Sequence, residues 1–172
     1  MVAIPARLLQ KPYARGVAAT INPTRATPSM QLAGNIKITT ESEQTTHFSI
    51  IDRQRTAVSL TYTLESPWGS RVVVRGGGFL LNDEMTDFNW VPGLGKRMLS
   101  SMCPIVVRRS GRPLLITGSP GGRTIINTVL CMVVNVVDFE MDIRAAVDAP
   151  RMHQGWFPDV LRIEPGFVED HA

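Results

Sequence analysis

Apolar and polar positions change rhythm several times along the chain, and each rhythm predicts an element. Between residues 6 and 21, Leu8, Leu9, Tyr13, Val17, Ala18 and Ile21 recur at roughly three-to-four spacing, which predicts an amphipathic helix ended by Asn22-Pro23. Residues 22–44 are rich in Pro, Thr, Ser, Asn and Gly without periodicity and predict an extended, exposed connection. The character changes at Thr45. His47-Phe-Ser-Ile-Ile-Asp and Ala57-Val-Ser-Leu-Thr-Tyr-Thr-Leu are β-rich runs separated by the polar Arg53-Gln-Arg-Thr, an antiparallel hairpin, and Arg71-Val-Val-Val, closed by Gly76-Gly77-Gly78, predicts another strand. A second hairpin spans Pro104-Ile-Val-Val-Arg and Pro113-Leu-Leu-Ile-Thr around Ser110-Gly111-Arg112. After Gly118-Ser-Pro-Gly-Gly, Ile125 to Phe139 is apolar on nearly every face. Strands rarely run fifteen residues, so this stretch predicts a buried helix. A short helix at Ile143–Val147 and a strand at Val160–Glu164 complete an α+β pattern, helices layered on antiparallel sheet, with no internal repeat.

With 172 residues, 44% of them hydrophobic, the chain can bury a core. Its longest apolar stretch, Ile125 to Val137, is interrupted by Asn127 and Asn135 and falls short of the roughly 18 residues that span a bilayer, so no membrane span is expected. The net charge of +3 arises before Thr45, where five basic residues stand against two acidic; thirteen stand against thirteen afterwards. That scatter gives no nucleic-acid footprint. Cys103 and Cys131 sit among apolar neighbours and are expected to be buried thiols, a disulfide between them being not deducible. With three histidines and neither C-x-x-C nor H-E-x-x-H spacing, no metal site and no cofactor is indicated. The opening Met1-Val-Ala-Ile-Pro-Ala lacks the basic and long apolar regions of a secretory signal, which leaves the localisation unknown.

Four local patterns could carry chemistry, and each has a plainer reading. Gln44-Thr-Thr-His-Phe places hydroxyls where a polar loop meets a strand, as loop punctuation commonly does. The sharper reading is cleavage before Thr45, leaving Oγ1 as nucleophile and a new α-amine as its base, an amine whose pKa near 7.7–8.0 leaves part of it unprotonated at neutral pH. Gly118-Ser-Pro-Gly-Gly ahead of a helix either eases tight helix entry or aims the Gly121 and Gly122 amides at an oxyanion. Asn82-Asp-Glu-Met-Thr-Asp is either an exposed acidic turn or a grip for an ammonium group. Ser100-Ser101 alone reads as a turn or cap.

Taken in order, Arg25-Ala-Thr-Pro-Ser, Gln44-Thr-Thr-His-Phe-Ser, Thr61-Tyr-Thr-Leu-Glu, Gly78-Phe-Leu-Leu-Asn-Asp-Glu-Met-Thr-Asp-Phe, Lys96-Arg-Met-Leu-Ser-Ser-Met, Gly118-Ser-Pro-Gly-Gly and Ala149-Pro-Arg-Met-His resemble the small-subunit region of the γ-glutamyltransferases, which are N-terminal nucleophile (Ntn) hydrolases. The resemblance implies part of an αββα sandwich, with residues 1–44 as the end of a large subunit and 45–172 as a small-subunit catalytic domain. It implies autocleavage between Gln44 and Thr45, then attack by Thr45 on glutathione or another γ-glutamyl donor. The resulting γ-glutamyl enzyme passes its acyl group to water or to an amino acid or peptide acceptor. Carried over by position, Thr63 hydrogen-bonds the nucleophile, Glu65, Glu84 and Asp87 receive the substrate α-ammonium, Ser100 and Ser101 its α-carboxylate, and the Gly121 and Gly122 amides the oxyanion.

The pattern departs from the family in three places. Only 44 residues precede Thr45, where the family carries a large subunit of hundreds of residues, so apolar faces meant to pack on it are expected to be exposed, and a large-subunit polypeptide is the expected partner. Twelve residues separate Asp87 from Ser100, a lidless spacing. Met98 and Cys103 replace smaller, proline or hydroxyl residues. Two other readings stand beside γ-glutamyl transfer: an inactive fragment that at most associates with another chain, and a β-lactam (glutaryl) acylase-like member. A glutaryl chain has no ammonium for Glu65, Glu84 and Asp87 to receive.

Overall fold

The computed structural model describes residues 5–33, 44–88 and 93–167. A 3-10 turn at Ala6–Leu9 precedes α1 (Lys11–Ala18), and a short α2 (Ser29–Ala33) follows. The continuous helix expected over 6–21 is thus broken: Gln10 is extended, and Pro12 in the first turn of α1 lacks the N–H that would join it to the preceding turn. The connection after α1 is not wholly exposed either. Ser29 is buried, its N–H and Oγ donating to the Asp159 carboxylate at 3.0 and 2.9 Å, which ties the leader to the far end of the chain. Residues 34–43 of that connection lie outside the described residues.

β1 (Gln44–Ile51) and β2 (Ala57–Glu65) form the first hairpin as expected, with Thr45 opposite Thr63 and His47 opposite Thr61. The register slips between Gln44 and Thr45, so that Gln44 pairs with Glu65 and Leu64 is left over. β3 (Ile105–Arg109) and β4 (Arg112–Thr117) form the second, turning through Ser110 and Gly111 at φ values of 51° and 81°. The strand expected at 71–74 shrinks to a single bridge between Val73 and Leu80. Trp68 and Arg71, both left-handed at φ 70° and 59°, interrupt the extended run before it.

α3 (Ile125–Val137) and α4 (Ile143–Asp148) follow, the latter capped by Asp142, whose side chain accepts the Arg144 and Ala145 amides. β5 (Met152–Gln154), which the pattern did not predict, pairs antiparallel with β6 (Leu161–Ile163). A three-residue ladder is too short for period-two alternation to register.

Ile125, Val129 and Met132 recur at i, i+4 and i+7 and place one face of α3 in a buried core with Leu115 of β4 and Ala146 of α4. The opposite face is open: Ile126 and Leu130 are 56% and 57% exposed. The expectation of a helix buried all round is therefore corrected to a helix buried on one face, since the described residues cover only that side. Cys103 and Cys131 are free and half-buried rather than buried, for the same reason.

The β1–β2 hairpin inverts the usual distribution. Its polar face, carrying Thr45, His47, Thr61 and Thr63, turns toward the second hairpin, and Ser59 Oγ donates to the Thr117 carbonyl at 2.9 Å. Phe48, Ile50, Val58, Leu60 and Tyr62 on the other face are 41–56% exposed. Among the described residues the architecture is α+β, three two-stranded antiparallel sheets with helices against them.

Candidate active site

Thr45 begins the regular pairing of β1, and the register slip sits on the peptide bond before it. Thr63, directly opposite, donates its Oγ1 hydrogen to the Gln44 carbonyl at 2.8 Å while accepting the Glu65 amide at 2.9 Å. That amide holds the hydroxyl lone pair in place, so the hydroxyl hydrogen is directed at the carbonyl of the Gln44–Thr45 bond. The resemblance assigned Thr63 a hydrogen bond to Thr45; here its hydrogen goes instead to the Gln44 carbonyl.

Glu65 ends β2 in a left-handed conformation, φ 75°, which costs a non-glycine residue about 1–3 kcal/mol and aims a buried carboxylate back under the hairpin. The acidic turn is tied to the same strand end: the Asp83 amide donates to the Leu64 carbonyl at 3.1 Å, and Asp83 Oδ1 accepts the Ser66 amide at 3.0 Å. A 3-10 turn at Glu84–Asp87 then carries both of its acids toward Glu65, whose Oε1 also accepts Thr86 Oγ1 at 3.3 Å. Carboxylate oxygens of Glu65, Glu84 and Asp87 all lie within 4.8 Å of one another. Burial, a hydrogen bond that the protonated Glu84 carboxyl donates to Asp87, and the charges of Asp87, Glu65 and Asp83 raise the Glu84 carboxyl to about 7. Such a cluster is short of positive charge. Among the described residues it is the group of acids spaced to share one cation, whether an ammonium or a metal ion.

The serines reach the cluster through the backbone. The Leu99 amide donates to the Asp87 carbonyl at 3.0 Å, which brings Ser100 and Ser101 alongside, and Ser100 Oγ accepts the Met102 amide at 3.2 Å in a local turn. On the other wall, Gly121 adopts φ 122° and Gly122 φ 52°, conformations that favour glycine. A Cβ on Gly121 would lie 2.6 Å from Thr124 Oγ1, which itself donates to the Gly121 carbonyl.

The structure brings Thr45, Thr63, Glu65, Asp87, Ser100, Ser101 and Gly122 around one cavity of about 20 Å³, room for roughly one water molecule. Glu84 is buried beside it through the carboxyl cluster, and Gly121 lines a neighbouring cavity. Gln44 borders a more open hollow of about 330 Å³ that shares Thr45 and Thr63.

Sequence reasoning passed over His47. Its ring bridges Thr61 Oγ1 at 2.9 Å and Ser49 Oγ at 3.0 Å, burial lowers its pKa, and a Cβ on Gly118 would overlap it. It therefore props the glycine loop against the strand of Thr45. Period-two alternation from Thr45 places it on that face, and this signal was available in the pattern.

The family model for gamma-glutamyltranspeptidase matches residues 1–172. The chain belongs to the gamma-glutamyltranspeptidase family. This is an enzyme family. The glutathione hydrolase proenzyme of Escherichia coli is 41% identical over 179 residues, covering 95% of this chain and 31% of that protein. A Helicobacter pylori gamma-glutamyltranspeptidase variant of known structure superposes with a TM-score of 0.63 at 46% identity, over 69% of this chain and 72% of the other. An acylase proenzyme of Pseudomonas is 34% identical over 154 residues, 86% of this chain and 27% of that protein. The chain thus spans about a third of the length of the curated relatives it matches.

Proposed function

We propose that this gamma-glutamyltranspeptidase-family chain supplies the nucleophile and most of the donor site of a γ-glutamyl hydrolase or transferase, with Thr45 released by cleavage of the Gln44–Thr45 bond. The observation that carries the reading is the 2.8 Å hydrogen bond from Thr63 Oγ1 to the Gln44 carbonyl, at a register slip beside the clustered acids and serines. A donated hydrogen bond withdraws electron density from the carbonyl carbon, which favours attack by Thr45 Oγ1. In that step the Oγ1–C bond forms, the C–N bond breaks, the nitrogen takes the hydroxyl proton, and Gln44 is left as an ester. Water then releases the Gln44 carboxylate and a free Thr45.

The new α-amine takes the Oγ1 proton in the second half of the chemistry, when Oγ1 attacks the γ-glutamyl amide of glutathione or a similar donor. The amide nitrogen leaves as an amine and the acyl group rests on Oγ1. Water completes hydrolysis; an amino acid or peptide amine completes transfer. Glu65, Glu84 and Asp87 hold the donor ammonium, Ser100 and Ser101 its carboxylate, and the Gly121 and Gly122 amides the oxyanion. A large-subunit polypeptide is the partner that this reading assigns to the exposed face of the β1–β2 hairpin, and residues 1–44 are the end of that subunit.

The carboxyl cluster favours γ-glutamyl over glutaryl donors, despite the acylase relative. The test is the intact mass of the purified chain. Two fragments, ending at Gln44 and starting at Thr45, are expected. Thr45→Ala should give one uncut chain and no γ-glutamyl anilide hydrolysis. Full hydrolysis by Thr45→Ala would overturn the proposal, and equal rates on glutaryl and γ-glutamyl anilides would overturn the donor assignment.

A further inference from the structure

On the far side of the glycine loop lies a second cavity of about 110 Å³, lined by Gly121, Arg123, Thr124, His153, Gly155 and Arg162 among others, with no acidic residue among the described residues on its walls. Two guanidinium groups face one histidine there. Burial first, then the charges of Arg162 and Arg123, hold the His153 pKa below its usual value, so the ring adds no proton of its own to the pocket at neutral pH. Its Nδ1 is shut off from solvent and has no hydrogen-bond partner among the described residues. An orphaned buried ring nitrogen is costly unless something fills its valence.

The arginines are equally under-used. One terminal nitrogen of Arg123 donates to the Gly155 carbonyl, which anchors the side chain and leaves its other donors available. Arg162 has no carboxylate or other hydrogen-bond acceptor among the described residues, whereas its neighbour Arg151 is paired with Glu164 at 3.1 Å. Gly155 leaves the space open: a Cβ there would stand 3.0 Å from His153 Nε2 and 3.7 Å from the Arg123 guanidinium. The thirteen-residue α3 begins at this wall, adding the positive end of its dipole.

We propose that this pocket binds a small oxyanion, a carboxylate or phosphate group, between Arg123 and Arg162. Guanidinium forks match the spacing of carboxylate and phosphate oxygens, and a volume of about 110 Å³ accommodates a group of that size. An anion seated there pins Arg123 and Thr124 in the first turn of the segment that presents the Gly121 and Gly122 amides. The site is independent of Thr45 and stands whether or not the chain cleaves itself.

The experiment uses the full chain carrying Thr45→Ala, so that cleavage does not intervene, titrated by calorimetry at fixed ionic strength with inorganic phosphate, with glycylglycine and with glycylglycine amide. Saturable binding is expected, with shifts of the Gly121 and Gly122 amide resonances. Arg162→Gln should weaken it at least about tenfold, Arg162→Lys less, and Arg151→Gln not at all. Arg162 is exposed, so its replacement does not threaten folding. Binding by phosphate alone identifies a free inorganic anion as the source. Binding by glycylglycine but not its amide identifies a peptide carboxylate. Absence of saturable binding, or binding unchanged by Arg162→Gln, would overturn the proposal.

Discussion

A single hydroxyl links the two halves of the proposed chemistry. Thr63 Oγ1 is held by the Glu65 amide and aimed at the Gln44 carbonyl, so Thr63→Val should slow cleavage by about 10²- to 10³-fold while leaving the fold in place, as loss of one oxyanion donor does elsewhere. The rate of appearance of a fragment starting at Thr45 measures it. Glu84 makes a different prediction, through its proton. Its carboxyl is raised from the ordinary 4.5 to about 7, so the folded chain binds a proton that the unfolded chain releases, and stability should fall as pH rises from about 4.5 to about 7. Glu84→Gln should flatten that decline in urea midpoints, with a gain on the order of 2–3 kcal/mol above pH 7. A donor ammonium displaces the same proton, so donor KM should decrease as pH rises through about 7 in the native chain and lose that dependence in Glu84→Gln.

The glycine loop before α3 is where backbone conformation carries the site. Gly121 combines φ 122° with a Thr124 hydroxyl 2.6 Å from where a Cβ would sit. Gly121→Ala should therefore cost about 1–3 kcal/mol of stability and displace the adjacent amides, seen as a lower urea midpoint together with slower turnover than the stability loss explains. His47 supports the same loop from below through its contact with Gly118, which joins the strand of Thr45 to the helix entry. The β1–β2 hairpin contributes through its register: the regular ladder sets Thr45 opposite Thr63, and the slip before it moves only Gln44, from Leu64 to Glu65.

The molecule as a whole presents an apolar sheet face to solvent. Phe48, Ile50, Val58, Leu60 and Tyr62 lie together on it, each 41–56% exposed, and such a patch drives association. The isolated chain should self-associate with increasing concentration in sedimentation velocity, and Phe48→Thr with Leu60→Thr should reduce this without altering the site face of the hairpin. Much of the architecture was legible beforehand. Both long hairpins, α3, α4 and the motif order that marks the family follow from local periodicity, turn residues and residue identity, all properties of neighbours in the chain. The burial of Ser29 by Asp159, the one-sided burial of α3 and the short β5 did not, because each depends on what packs alongside, whereas the break of the first helix at Gln10 follows locally from Pro12. The same division runs through the site. Thr45, the acids and the paired glycines could be named from their order. That Thr63 grips the Gln44 carbonyl, that three acids share one small volume and so raise Glu84, and that two arginines close on His153 were decided by tertiary structure alone, since hydrogen-bond direction, desolvation and charge proximity are properties of residues far apart in sequence brought within a few ångströms.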